Sequence, residues 1–228
     1  MFLLQIAVAP AIIGLVYIFI RDKYEKEPLN LLFTGVIFGI YSTAVVWVLG
    51  VFLEGIFYYN DNKFISILLD SFIYSAFIEE FVKFIFIYFI DFHNYNFNEP
   101  FDGIVYSVFI SLGFAMTENI IYVFNPYFGG FETAISRAIF SVPAHGLFGV
   151  IMGCYMGDAK FRNNIYRFFL ILKSIFITVF YHGIYNFILM INFKYYNIIF
   201  IPYVLFLWIN GVKKIKKQLL KSPFKKIN

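Results

Sequence analysis

The chain has 228 residues, of which 61% are hydrophobic, 23% aromatic and 14% charged, with a formal net charge of +4. Soluble domains carry about 25% charged residues, so this composition excludes a soluble globular protein, and the length leaves no room for an extramembrane domain beside about seven spans of some 20 residues. The single cysteine, Cys154, excludes an internal disulfide and any CxxC metal pattern.

Apolar windows follow one another at residues 1–20, 31–53, 66–90, 102–124, 133–157, 166–190 and 197–212. They predict an all-α polytopic membrane bundle of about seven transmembrane helices, one domain over residues 1–228 in contact with the lipid bilayer. The first window has no basic n-region, and its Ala-x-Ala lies too near the start for an ordinary cleavage site, so it reads as a retained span. The intervening pieces RDKYEKEPLN, YYNDNK, DFHNYNFNEP, NPYFGG, GDAKFRNN and INFKYYN are rich in turn formers or charge and read as loops.

Charge orients the bundle, because Lys and Arg are retained in cytoplasmic loops. Arg21, Lys23 and Lys26, then Lys160, Arg162, Arg167 and Lys173, then seven lysines after Val212 fall on one side, with Lys63, Lys194 and Arg137 on or near the other. The expected topology is a multi-pass protein with its N-terminus outside and its C-terminus in the cytoplasm. The basic tail over 213–228 reads as an anchor and needs no nucleic-acid partner.

Within the spans, charges are costly, roughly 2.5 to 3.5 kcal/mol each at mid-membrane on insertion scales, so each must face a partner or water. The third window carries AFIEEFVKFIF, in which Lys83 stands i,i+4 from Glu79 and i,i+3 from Glu80 and can bond either carboxylate, leaving the other free. The fourth carries GFAMTENIIY, with Phe114 one turn before Glu118 and Asn119 beside it. In the fifth, SVPAHGLFGVIMGCYMG, His145 follows Pro143, and Gly149, Gly153 and Gly157 form a close-packing stripe. The sixth carries YHGIYNF, where His182 and Asn186 share a face at i,i+4.

The helix rise of 1.5 Å puts Glu79 roughly 13 Å, Glu118 roughly 9 Å, His145 roughly 16 Å and His182 roughly 12 Å below the outer surface. Residues of acid–base type on four helices at one level predict a shared polar cavity. Two chemistries use such a set. A carboxylate can take a proton from water while His and Asn donors stabilise the oxyanion of peptide hydrolysis, or His and Glu can hold a metal while another Glu acts as base. The signatures HExxH, GxGD and GxSG of other intramembrane proteases are absent.

The chain resembles the PrsW intramembrane proteases, relatives of the CAAX-processing and bacteriocin-processing membrane proteases. The resemblance rests on EExxK (Glu79, Glu80, Lys83), FxxxEN (Phe114, Glu118, Asn119), SVPAH ending in His145, HGIYN from His182 to Asn186, and the DGIVY that starts at Asp102. These motifs cover residues 75–190 in order. The resemblance implies an intramembrane peptidase of a bacterial cell membrane that makes the site-1 cut in a single-span anti-sigma factor. It implies Glu79 or Glu80 as activator of water, Glu118 and His145 as catalytic partners or ligands, and His182 with Asn186 completing the oxyanion or ligand set. Lys83 and Asn119 support them. The cofactor is left open between a divalent metal such as zinc, held by Glu79, Glu118, His145 and His182, and none.

Each piece alone has a plainer reading. EExxK can be a structural ion pair, the histidines and asparagines can be helix-to-helix hydrogen bonds, and Arg137 can snorkel outward or pair with a carboxylate. Two rival functions use the same residues: a proton-coupled transporter or channel, and a non-catalytic membrane scaffold. The absence of a repeat and of broken charge-bearing helices speaks against transport, and the intact polar set against a scaffold.

Overall fold

The computed structural model describes residues 1–54, 62–191 and 193–225, so most of the predicted YYNDNK loop and the last three residues of the basic tail lie outside the described residues. The described regular structure is helical throughout: α1 (Phe2–Arg21), α2 (Leu29–Glu54), a composite helix over 63–91, α5 (Asp102–Val123), α6 (Phe131–Ile139), α7 (Ser141–Lys160), α8 (Asn164–Met190) and α9 (Asn197–Leu220). The composite helix joins α3 (Lys63–Leu69), a π-helical stretch Asp70–Phe77, α4 (Ile78–Phe86) and a second π-helical stretch Ile87–Asp91. Among the described residues six stretches are long and apolar enough to cross a bilayer unaided, with α6 and α7 forming one, and the composite helix falls on the remaining predicted window.

Helix α5 is the axis of the bundle. Its apolar stretch is 72% buried, against 17% in each of α1 and α2, whose large side chains such as Ile13, Phe33, Trp47 and Phe52 point outward as a lipid-facing surface should. Glycine lets α5 sink this far, because helices in lipid associate by close packing rather than by a hydrophobic drive. A methyl group on Gly153 of α7 would stand 2.1 Å from the Gly103 carbonyl oxygen of α5, and one on Gly39 of α2 would stand 2.2 Å from the Ile110 carbonyl oxygen. The glycine stripe on α7 is therefore the face laid against α5, with Gly149 against Ser107 and Gly157 against Pro100.

Two boundaries differ from the apolar windows. The fifth window breaks at Phe140 (φ −113°, ψ −58°), where α6 ends and α7 begins with Pro143 in its first turn, a position where the missing N–H is no loss. The seventh runs on to Leu220 instead of stopping at 212, because Ile215, Gln218 and Leu219 are buried among the bases of the tail and Gln218 Nε2 bonds the Cys154 carbonyl at 2.6 Å.

Candidate active site

The site begins where the composite helix changes pitch. The π-helical stretch Asp70–Phe77 ends on the residue before α4, with the Ile78 N–H reaching back five residues to the Ile73 carbonyl. Such wide turns shift the register of the next helical turns and recur at functional sites. The turn after it carries Glu79, Glu80 and Lys83, all buried, with Glu80 and Lys83 at 0% exposure.

Lys83 Nζ donates to Glu80 Oε1 at 2.9 Å and lies 3.6 Å from Glu79 Oε2, while its ammonium sits 3.8 Å from the centre of the Phe114 ring. His182 Nδ1 lies 2.9 Å from the same Glu80 oxygen. Since that carboxylate can only accept, Nδ1 carries a proton and donates it, and Nε2 faces the other way, where Glu79 Oε2 lies 3.9 Å off. Phe148 stacks on the His182 ring at 4.6 Å and holds its plane.

A second group meets the first through His145. Its Nδ1 lies 3.3 Å from Lys83 Nζ, a pure donor, so Nδ1 accepts and Nε2–H points to Glu118 Oε2 at 3.1 Å. Arg137 of α6 donates from Nη2 to that same Glu118 oxygen at 2.5 Å and from Nε to Asn119 Oδ1 at 3.0 Å, and its guanidinium lies over Tyr122. Asn119 passes the chain of bonds on to the Ala7 carbonyl of α1 at 2.8 Å.

Between the two groups lies a cavity of about 170 Å³ whose polar wall comprises Ser75, Glu79, Glu118, Arg137, His145 and Asn186. Glu79 faces it; Oε1 takes a hydrogen bond from Ser75 at 3.1 Å, Ser75 is in turn held by Asn186 at 2.7 Å, and Oε2 has no hydrogen-bond partner. Its volume admits a few waters or a short stretch of unwound chain.

This site decides between the readings of the sequence once it is set beside known proteins. A family model described as "PrsW family intramembrane metalloprotease" matches residues 27–209. The chain belongs to the PrsW family. It is 37% identical to "Protease PrsW" of Geobacillus kaustophilus over 217 residues, which is 94% of this chain and 91% of that protein. It is 33% identical to the protein of that name in Bacillus subtilis, covering 94% of each, and 32% identical to that of Clostridioides difficile, covering 95% of this chain and 91% of the relative. No solved structure matches the chain. The chain is thus a multi-pass membrane peptidase, an intramembrane protease of the PrsW family.

The family description includes a metal, and the donors present fit one. Glu79, Glu80, His145 and His182 each offer a ligand atom, all within 4.8 Å of one another, and Glu79 Oε2 and Glu80 Oε2 lack hydrogen-bond partners; His145 would serve only by giving up its bond to Lys83 or to Glu118. Two imidazoles and two carboxylates are a zinc-type set, and a histidine whose far nitrogen bonds a carboxylate, as His182 does with Glu80, is the usual support of a ligand.

Every residue expected at the PrsW site lies in or beside this network, and the pairings sort them. Glu79, Glu118, His145, His182 and Asn186 border the cavity, whereas Glu80 and Lys83 lie behind it and Asn119 faces α1. Glu118, expected among the ligands, is bound by Arg137 and His145, and the compact group of four contains Glu80 in its place. Sequence reasoning passed over Ser75 and Phe148 and left Arg137 between two roles. Ser75 carried a signal, its i,i+4 spacing from Glu79; Phe148 was one phenylalanine among 33.

Proposed function

We propose that Glu79 is the base that activates water, and that the chain makes the first cut in a single-span anti-sigma factor of a bacterial cell membrane. The observation that carries this is the Glu79 carboxylate: it faces a small cavity, one oxygen is oriented by Ser75 and the other has no hydrogen-bond partner and lies 3.9 Å from His182 Nε2. A base needs that combination of fixed direction and a free acceptor.

In the proposed reaction Glu79 Oε2 takes a proton from water as the water oxygen bonds to the scissile carbonyl carbon. The carbonyl oxygen becomes the oxyanion, which Arg137 and Asn186, donors on the cavity wall, stabilise. The proton on Glu79 then passes to the amide nitrogen, the C–N bond breaks and an amine and a carboxylic acid leave, the acid then losing its remaining proton to the amine or to water. Glu80 acts one step back: it fixes the His182 tautomer and balances the Lys83 charge. Glu118 holds His145 in place. A divalent ion held by Glu79, His182, His145 and Glu80 would supply Lewis acidity toward the water and the carbonyl.

The side of the cut follows from topology. Glu118 stands one to two turns from the end of α5 that faces away from the basic loops, so retention of those loops in the cytoplasm puts the cavity in the outer half, with the N-terminus outside. The test is to express the protein with single-span anti-sigma factors tagged at both ends and to determine the new termini by mass spectrometry. The reading expects a cut in the outer half of the substrate span or just beyond it, and a cut near the cytoplasmic tag contradicts it.

A further inference from the structure

A second cluster of carboxylates lies at the basic end of the bundle, which the catalytic network does not touch. Asp22 and Glu27 come from the loop between α1 and α2, Glu99 from the loop before α5, and Asp102 opens α5. Asp22, Glu99 and Asp102 are each 0% exposed and Glu27 is 2% exposed; Glu25 lies partly exposed at the rim. The ligand oxygens of Asp22, Glu99 and Asp102 lie within 4.8 Å of one another, and so do those of Glu25, Glu27 and Asp102, so two triads share Asp102.

Burial of this kind favours either protonation or a compensating positive charge, and among the described residues no Lys, Arg or His nitrogen comes within 4.0 Å of these carboxylates. The nearby lysines are engaged elsewhere: Lys26 Nζ donates to the Phe19 carbonyl, and Lys160 Nζ to the carbonyls of Phe92 and Asn94. One oxygen of each of the four buried carboxylates has a donor. Asp22 Oδ2 accepts the Glu27 N–H at 3.2 Å, Asp102 Oδ2 accepts the N–H groups of Asn98 and Glu99 at 2.8 Å, Tyr106 donates to Glu27 and Ser222 to Glu99. The other oxygens, Asp22 Oδ1, Glu27 Oε1, Glu99 Oε1 and Asp102 Oδ1, are buried and accept no hydrogen bond.

We propose that Asp22, Glu99 and Asp102, with Glu27 and Glu25 beside them, bind a hard divalent cation of the calcium or magnesium class. Such ions take oxygen ligands at about 2.0 to 2.6 Å, so oxygens on one ion stand no more than about 4 to 5 Å apart, a limit that the oxygens of this triad, all within 4.8 Å of one another, meet. Nitrogen and sulfur ligands are absent from it, which disfavours zinc. A shared proton would join only two oxygens, whereas an ion at the centre faces all three. Burial also pushes the carboxyls of Asp22 and Glu27 up to about 7 and raises that of Glu99, as expected of acids that lack a counter-ion. The ion would tie the α1–α2 loop, the loop before α5 and, through Ser222 on Glu99, the end of α9 to the first residue of the helix that carries Glu118.

The test uses the full-length protein in detergent micelles, stripped with chelator, in a Glu79→Gln, His182→Ala background that removes donors from the active site. Equilibrium binding of Ca²⁺, Mg²⁺ and Mn²⁺ and the ion-dependent rise in melting temperature are measured. The expected result is one saturable ion per chain for at least one of the three, with affinity lowered tenfold or more by Asp22→Asn or Asp102→Asn and the rise in melting temperature lost. If Asp102→Asn does not fold, Glu99→Gln is read in its place. Absence of saturable binding overturns the proposal, as does binding that survives all three substitutions.

Discussion

Glu79 and Glu80 are adjacent in the chain and differ in what neutralises them. Lys83 Nζ and His182 Nδ1 both lie 2.9 Å from one oxygen of Glu80, whereas Glu79 Oε2 has no hydrogen-bond partner and its nearest cation, Lys83 Nζ, stands 3.6 Å off. Substituting Glu80 strands a fully buried ammonium, and breaking a buried ion pair costs about 3 to 5 kcal/mol. Glu79→Gln should therefore abolish cleavage with a melting temperature near wild type, whereas Glu80→Gln should lower both. Thermal unfolding of the two variants beside a cleavage assay checks the split.

Arg137 links α6 to α5 through Glu118 and Asn119. Without it, Glu118 loses its shortest contact and His145 loses the fixed carboxylate that orients it. Arg137→Ala should reduce kcat about 10- to 100-fold, the usual effect of removing a group that orients a site residue, and Arg137→Lys should recover part of it. Lysine restores the charge but cannot reach two partners at once. Steady-state kinetics on a quenched transmembrane peptide measures both.

The α5–α7 contact is backbone on backbone. A methyl group on Gly153 would have to displace the Gly103 carbonyl, which no flexible side chain can absorb. Gly153→Ala should cost about 1 to 3 kcal/mol or more by overpacking, whereas Gly50→Ala, with nothing among the described residues within 4 Å, should be neutral or slightly stabilising. Unfolding by denaturant in mixed micelles compares them.

What the sequence made legible was local. Seven apolar windows and the i,i+3 and i,i+4 spacings of Glu79, Glu80 and Lys83, and of His182 and Asn186, need only helical periodicity to read. The π-helical turns before Glu79 were not legible, because no residue type marks them. The pairing of Arg137 with Glu118 hangs on the break at Phe140, which lets α6 turn its cation toward α5 instead of outward. The acidic cluster joins Asp22 to Asp102 across 80 positions of chain, a proximity that no local spacing reveals.

In the proposed mechanism the cavity-facing carboxylate of Glu79 drives hydrolysis. The most direct test is cleavage of single-span anti-sigma factors by purified protein in liposomes, wild type beside Glu79→Gln, with folding of the variant verified by its melting temperature. The account predicts product from the wild type and none from the folded variant; equal product from both would contradict it.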